Sequence, residues 1–198
     1  MPRIRGASIG EHHEMVWADL AEAMRPLLQE RDYESITMGH IAARSGLARN
    51  TLYNYGRDKH ALALALTERA GRPTVERVAA IAARSADPAA ARLGEIVEAV
   101  LAAFTDPVVQ LMFRTSAAPP SEQGPGSPFH EIVAEVENVV QEGISRGEFR
   151  DVGDVRLAVE LLSGVMRAGA ERLGRDPAAL KATVRAAREI ILASLVPA

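Results

Sequence analysis

The chain has 198 residues, of which 47% are apolar and only 4% aromatic, and its net charge is −3. That length fits one compact domain, or a small module joined to a larger one. The absence of cysteine excludes disulfides and thiolate metal sites and indicates a reducing compartment. Because no apolar run approaches the ~18 residues of a membrane span, and MPRIRGASIG lacks a signal-peptide core, we expect a cytoplasmic protein outside any membrane.

The first sixty residues contain three short helical patterns. Apolar residues recur every three or four positions over 16–28, which predicts a first helix that Pro26 should kink. Thr37 is a good N-cap for a second helix, and Gly46 can end that helix in the left-handed conformation. A third helix is predicted over 48–55.

The middle of the chain contains further start and stop signals. Asp58 should cap a fourth helix, which Gly71-Arg72-Pro73 should bend or break. The pairs Asp87-Pro88 and Asp106-Pro107 predict the starts of a fifth and a sixth helix. The segment 116–128, SAAPPSEQGPGSP, has too much proline and glycine to stay helical and is predicted to be a flexible loop.

Three more helical patterns follow this loop. A seventh helix is predicted from Phe129 to Ile144, an eighth over about 155–173 and a ninth over about 176–195. No alternating strand pattern of useful length appears. The sequence therefore predicts an all-α fold of about nine helices.

Positive charge is concentrated between residues 36 and 60. Four basic side chains and one acidic one give this stretch a local charge of +3: Arg44, Arg49, Arg57 and Lys59 against Asp58. Such a run can be an ordinary solvated face. It can also attract phosphates where a duplex lies.

The third predicted helix has two chemically different faces. At about 100° per residue, one face contains Arg49, Asn50, Tyr53 and Asn54, and the other contains Ala48, Leu52 and Tyr55. Arginine can read guanine and asparagine can read adenine in the major groove. Two short helices joined by a glycine-containing turn form a helix-turn-helix, whose helix N-termini can bind phosphates. The alternative is two surface helices joined by a turn.

The stretch TMGHIAARSGLARNTLYNYGRDKHAL resembles the helix-turn-helix of the tetracycline-repressor (TetR) family of bacterial transcriptional regulators. The resemblance covers about residues 14–66. The chain departs from the family pattern at several positions. Ala48 replaces a usual serine, Gly56 replaces an aromatic residue and Asp32 replaces a glycine, and Pro26 is unusual inside the first helix. The resemblance implies a three-helix DNA-binding domain at residues 1–60 and a helical regulatory and dimerisation domain at 61–198.

The resemblance also assigns roles within the motif. Phosphate contacts are expected for Thr37, Thr51, Tyr53 and Lys59, and base contacts for Arg49, Asn50 and Asn54; Leu52 and Ile41 are expected in the core, and Tyr55 in either place. The predicted DNA-binding set is Thr37, Ala48, Arg49, Asn50, Thr51, Tyr53, Asn54, Tyr55 and Lys59.

Two further sites are predicted in the remaining two-thirds of the chain, mostly from the resemblance. The predicted dimer interface consists of Leu157, Leu161, Gly164, Ala168, Val184, Ala187 and Ile191. The predicted ligand pocket, suited to an apolar or amphipathic molecule, consists of Leu101, Phe104, Val108, Met112 and Phe113. Both sets can instead be ordinary intramolecular core.

We therefore expect a DNA-binding transcriptional regulator, a ligand-released repressor that binds a palindromic operator as a homodimer. Its expected partners are the double-stranded operator, a second copy of the chain and a small ligand. No cofactor, metal site or enzymatic activity is expected, because the five histidines have no metal-ligand spacing and no nucleophile motif occurs. The alternative is a non-enzymatic helical adaptor, or ligand-binding protein, that has kept the fold without operator binding.

Overall fold

In the computed structural model, residues 8–115 and 127–197 are described, and within these ranges all regular structure is helical. The α-helices are α1 (Ile9–Glu30), α2 (Met38–Ser45), α3 (Arg49–Leu52), α4 (Lys59–Ala82), α5 (Ala89–Ala103), α6 (Pro107–Gln110), α7 (Met112–Thr115), α8 (Pro128–Ser145), α9 (Val155–Arg175) and α10 (Leu180–Leu195). Helices α6 and α7 are one predicted helix interrupted at Leu111. With that pair counted once, nine helices lie in the described ranges, and the all-α prediction is confirmed.

Local sequence signals account for most helix starts. Side-chain oxygens of five N-cap residues accept hydrogen bonds from backbone N–H groups in the first turns of α1, α2, α4, α8 and α9: Ser8, Thr37, Asp58, Ser127 and Asp154. Asp106 caps α6 in the same way and Pro107 is its first residue. Such caps satisfy N–H groups that have no partner inside the helix. The predicted loop at 116–128 falls mostly on residues 116–126, outside the described ranges.

Two apolar cores share the helices. The head core contains buried residues of α1, α2, α3, the first half of α4, α6 and the segments that connect these helices: Val16, Leu20, Met24, Leu27, Tyr33, Ile36, Met38, Ile41, Leu52, Leu62, Ala63, Leu66, Val108 and Leu111. The body core is formed by the second half of α4 with α5, α8, α9 and α10 and includes Val78, Ile96, Leu101, Val140, Leu173 and Ile191.

Helix α4 joins the two cores without interruption. It runs from Lys59 through Pro73 to Ala82, so the helix does not break at Gly71-Arg72-Pro73, where the sequence predicted a bend or a break. A proline inside a helix removes one backbone hydrogen bond. Here Leu62 and Leu66 on one side of Pro73, and Val75 and Val78 on the other, are all buried. Burial at both ends holds the helix across the proline.

Helix α6 links the head to the body. Val108 and Leu111 lie in the head core, whereas Val109 between them lies in the body core. The head core therefore uses residues far beyond position 60, where the sequence placed the domain boundary. Among the described residues, no helix is long and apolar enough to cross a membrane.

Candidate nucleic-acid interface

The turn between α2 and α3 follows from two residues at the ends of α2. Thr37 accepts a hydrogen bond from the His40 backbone N–H at 3.2 Å, and His40 Nδ1 accepts one from the Thr37 N–H at 3.3 Å. At the other end, Gly46 has φ +69°, a left-handed conformation that side chains disfavour. Together they set where α2 begins and where the chain turns towards α3.

Helix α3 is shorter than the predicted 48–55 helix. It spans Arg49–Leu52, and Ala48 precedes it with no side-chain cap. After Leu52 the chain continues in tightened turns, in which the Tyr55 and Gly56 N–H groups both donate to the Leu52 carbonyl. A Cβ on Gly56 would lie 2.7 Å from the Leu62 backbone of α4, so glycine allows this close approach. The close packing ends the helix early.

The polar face predicted for α3 is exposed. Leu52 is fully buried in the head core, whereas Tyr53 is 45% exposed and Arg49, Asn50 and Asn54 are exposed as well. Ala48 is also exposed and Thr51 is half-buried. One guanidinium, one phenol and two amides thus lie exposed together on α3 and the turn that follows it. These are donors and acceptors that can reach base edges and phosphates.

Arg49 differs from the other basic residues of the segment. Arg44 pairs with Glu30 of α1, and Arg57 Nε lies 3.5 Å from Asp58 Oδ2. Asp58 also accepts the Ala61 N–H at 2.8 Å, and this hydrogen bond lowers the pKa of its carboxyl. Arg49 has no ion pair with any residue in the described ranges. Its guanidinium can therefore contact a base without breaking an internal pair.

Lys59 is held inside the head. Its Nζ donates to the Tyr33 carbonyl at 2.8 Å and to the Glu34 carbonyl at 3.2 Å, and it lies 4.2 Å from the centroid of the Tyr33 ring. The side chain thereby ties the start of α4 to the turn at Tyr33–Ser35. A phosphate contact would have to use the remaining donor.

Tyr55 packs beneath the reading head, the helix-turn-helix formed by α2, α3 and the turn after α3. Its ring packs edge-on against Trp17 of α1, with centroids 5.0 Å apart at 88°, and lies 5.6 Å from the ring of His13. Burial raises the pKa of the Tyr55 phenol. The geometry thus positions Tyr55 between α1 and the turn after α3, a contact that the helical pattern could not indicate.

The predicted ligand-pocket residues do not form one cluster. Leu101 and Phe104 are buried in the body core, and the Phe104 ring stacks on Phe113 at 5.2 Å. Met112 and Phe113 are half-buried against the same core. Val108 is instead in the head core, so its assignment to the body pocket is wrong. Its neighbour Val109 lies in the body core, and helical spacing alone could not distinguish the two valines.

A cleft of about 650 Å³ that the sequence did not indicate lies near this cluster. Its lining includes Leu28 at the end of α1, Gln110 and Phe113 near α6, and Glu171 and Gly174 in α9. Arg167 lies over the Phe113 ring at 5.4 Å. Among the described residues, no group of three His, Cys, Asp or Glu side chains could hold a metal ion.

The predicted dimer residues divide between surface and core. Leu157 is 53% and Leu161 68% exposed on α9, and Gly164 and Ala168 are exposed on the same face. In α10 the assignment is wrong, because Val184, Ala187 and Ile191 are buried in the body core. They are the most apolar stripe of α10, and that stripe packs inside the protomer. The exposed face of α10 includes Ala182, Ala186, Ile190 and Ala193, with Ile190 56% exposed, and is bordered by the exposed charged residues Lys181, Arg185 and Glu189.

Comparisons with known proteins agree with this architecture. Residues 20–66 match the family described as bacterial regulatory proteins, tetR family. Among curated proteins, no sequence matches the chain. The resemblance inferred from the helix-turn-helix motif is thus confirmed over that region.

Solved structures share the fold along nearly the whole chain. SmeT, the repressor of the Stenotrophomonas maltophilia multidrug efflux pump SmeDEF, aligns with a TM-score of 0.72 and 17% identity over 91% of this chain and 90% of its own. The MbdR regulator from Azoarcus sp. CIB aligns with 0.72 and 21% over 92% and 100%. FadR from Bacillus subtilis, in complex with stearoyl-CoA, aligns with 0.67 and 17% over 92% and 98%. At these identities the likeness shows the fold alone.

Proposed function

We propose that this chain, whose helix-turn-helix region belongs to the tetR family, is a repressor that binds a palindromic operator as a homodimer and is released by a small ligand. The observation that carries DNA recognition is the exposed group Arg49, Asn50, Tyr53 and Asn54 on α3 and the turn after it, beside the buried Leu52.

Selection of random duplexes by the purified chain tests DNA recognition directly. We expect an enriched sequence with two inverted half-sites, centred about 34–36 Å apart or a multiple of that distance. Binding should weaken steeply as salt increases. A chain that enriches no sequence and shows no salt-dependent binding to duplex DNA would instead be an adaptor or a ligand-binding protein.

The variant Arg49→Ala tests the reading role of α3. We expect it to lose about 1–3 kcal/mol of discrimination at one base position of each half-site. Arg77→Ala, which removes an exposed arginine from the body half of α4, is the matched control and should leave the preference unchanged. Equal preferences in wild type and Arg49→Ala would contradict base reading by Arg49.

Dimerisation is supported by the exposed apolar faces of α9 and α10. Leu157, Leu161 and Ile190 are each more than half exposed, and α9 and α10 are neighbours in the protomer. A Cβ on Gly164 would meet no atom within 4 Å, so this position leaves room for another helix. A second copy that covers both faces would remove them from water and place two reading heads on one duplex.

Ligand release is supported by the way α6 connects the two cores. Gln110 Nε2 donates to the Ala170 carbonyl of α9 at 2.7 Å and to the Phe104 carbonyl at 2.6 Å. On the head side, Arg25 of α1 pairs with Asp106 at 2.9 Å, and the Thr67 hydroxyl donates to the Val108 carbonyl at 3.3 Å. A ligand that moves Phe104 or Phe113 would therefore displace α6 and, with it, the head core.

The required energy is within reach of an apolar ligand. To lower the DNA-competent fraction from 99% to 1%, the ligand must bind the released state about 5.5 kcal/mol more strongly than the DNA-competent state. Burying ~200 Å² more apolar area in that state supplies about 5 kcal/mol at ~25 cal/mol per Å². One site per dimer is therefore marginal, and two are sufficient.

Operator release by a library of apolar and amphipathic compounds tests this part of the proposal. The library includes triclosan and stearoyl-CoA, which are bound in solved complexes of SmeT and FadR. Phe104→Ala and Met112→Ala should weaken release by an active compound. Gln110→Leu should keep ligand binding but reduce release, because α6 loses its bond to α9. If no compound releases the operator, constitutive repression becomes the better account.

A further inference from the structure

A groove between α1 and the first half of α4 lies apart from the predicted body pocket. The volume of this open groove is about 550 Å³. Its floor is small and apolar, and is formed by Ala18, Ala21, Leu66 and Ala70, while Trp17 and Pro73 also border it. None of the five residues predicted to form the body pocket lines it. Its volume is within the range of small-molecule sites.

Three guanidinium groups surround the groove. Arg25, Arg69 and Arg72 all line it, and each pairs with a carboxylate of another helix: Asp106, Glu14 and Glu131 respectively. The Arg69 hydrogen bond lowers the pKa of the Glu14 carboxyl. Glu14 and Arg69 are both well exposed, and such surface pairs contribute little net stability. A ligand carboxylate can therefore replace Glu14 on Arg69 at little cost.

We propose that this groove binds a small aromatic carboxylate, with its ring on the alanine floor beside Trp17 and its carboxylate on Arg69. A guanidinium binds a carboxylate through two parallel hydrogen bonds. The ligand ring is removed from water when it packs against Trp17, Leu66 and the alanine methyl groups, and this burial provides the net gain in binding free energy. Glu14 and Glu68 also border the groove, but both are exposed and can turn towards solvent.

Occupancy of this groove would act directly on the reading head, a consequence that rests on the proposed function. The Arg69 guanidinium carbon lies 5.0 Å from the centroid of the Trp17 ring, and the Trp17 ring packs edge-on against Tyr55 at 5.0 Å. Tyr55 belongs to the turn after α3. A ligand that draws Arg69 away or shifts Trp17 changes the support of that turn. Operator affinity then changes without any movement of the body.

The chain's single tryptophan makes binding measurable without DNA. Trp17 fluorescence is titrated with 3-phenylpropionate and with its neutral isostere 3-phenylpropanamide. We expect a saturable change with the acid and about two- to fivefold weaker binding of the amide, the loss of one partly exposed ion pair. Arg69→Gln should weaken binding of the acid by a similar factor and so remove the preference for the acid over the amide.

Matched variants locate the site. Ala18→Leu fills the floor and should abolish the fluorescence change, whereas Ala80→Leu adds the same group to an exposed position of α4 and should not. Phe104→Ala, in the body core, should leave the titration unchanged. Thermal melting of each variant shows that it is folded.

The outcomes separate this site from the proposed function. No saturable change, an equal response to acid and amide, or loss of binding in Phe104→Ala would overturn the proposal. If the acid binds but operator affinity is the same with and without it, the link through Trp17 and Tyr55 is wrong. If the chain binds no operator at all, the proposed function fails, while the fluorescence titration still decides whether the groove is a site.

Discussion

At the scale of single residues, burial separates Leu52 from the polar residues around it as the sequence indicated, although Ala48, predicted on the same face as Leu52, is exposed. Leu52 is buried while Arg49, Asn50 and Asn54 are exposed, because a helix places residues three or four apart on one side. The environment of Lys59 could not be predicted in this way. Its carbonyl partners belong to Tyr33 and Glu34, some 25 residues earlier in the chain. Only the folded head brings them together.

We predict that Lys59→Met lowers the free energy of unfolding by about 1–2 kcal/mol in the absence of DNA. Hydrogen bonds to charged groups contribute about 1.5–3 kcal/mol, and partial exposure of the side chain reduces that value. Thermal or urea denaturation measures the loss. Arg57→Met, at a side chain that is 90% exposed, is the control and should change stability by less than about 0.5 kcal/mol.

The same variant tests the phosphate role expected for Lys59. If phosphate binding is the main role of Lys59, Lys59→Met should keep the wild-type free energy of unfolding and weaken binding to all duplexes alike. It should also reduce the slope of the log binding constant against the log salt concentration by about one unit. A stability loss with an unchanged slope would assign Lys59 to the architecture of the head.

We predict that Gly56→Ala destabilises the head by about 1–3 kcal/mol, the range for overpacking in a well-packed interior. The new Cβ would lie 2.7 Å from backbone atoms of Leu62, which cannot move without shifting α4. Gly56→Phe, which introduces an aromatic residue as in the family pattern, should destabilise the head more than Gly56→Ala does. Gly39→Ala is the control, since its Cβ would meet only the Thr37 Oγ1 at an ordinary 3.6 Å. Unfolding curves that coincide for Gly56→Ala and wild type would refute the close approach.

At the scale of helices, the sequence predicted where most of them begin but not how long they persist. The start signals Thr37, Asp58 and Asp106 are local, and each caps a helix as expected. The length of α3 depends on contact with α4, and the continuity of α4 across Pro73 depends on two cores. Local propensity is a weak prior against such packing.

We predict that Glu142→Ala lowers the free energy of unfolding by about 3 kcal/mol, the lower end of the range for broken buried ion pairs. Arg92 of α5 is fully buried, and its guanidinium donates to the Ala82 carbonyl at 2.8 Å and to Glu142 of α8 at 2.7 Å. Removing the carboxylate leaves a buried charge with one carbonyl partner. Denaturation measures the effect.

Two further variants check the cause. Arg92→Met combined with Glu142→Leu should recover most of the loss, because an apolar pair of similar volume replaces the ions. Glu171→Ala, which breaks the exposed pair with Arg167 at 3.1 Å, should cost at most about 1 kcal/mol. A double variant as unstable as Glu142→Ala would show that the charge is not the cause.

At the scale of the whole molecule, α4 and α6 both belong to two cores. Most of each core forms from residues near in sequence, but Val108 and Leu111 reach the head core from the body side. The division into a reading head and a body was therefore visible in the sequence, whereas their connection was not. The sequence was misleading in α10 for the same reason. Its apolar pattern assigned Val184, Ala187 and Ile191 to the dimer interface, but these residues are buried in the body core of the protomer.

The exposed apolar residues that remain on α9 and α10 lead to the prediction that the protein is a dimer at micromolar concentration and that Leu161→Glu dissociates it. Leu161 is the most exposed of the large apolar residues in the described ranges, at 68%. In a twofold interface each substituted position occurs twice, so two carboxylates would be desolvated against an apolar surface. Sedimentation should show a monomer for Leu161→Glu and a dimer for wild type. Ala80→Glu adds the same charge to an exposed position of α4 and should remain dimeric.

Because linking two half-site readers gains about 10²–10⁴ in affinity, Leu161→Glu should lose a factor of that order on a palindrome but little on a single half-site. A wild-type monomer that still binds the palindrome tightly would place the second reading head somewhere other than across this face.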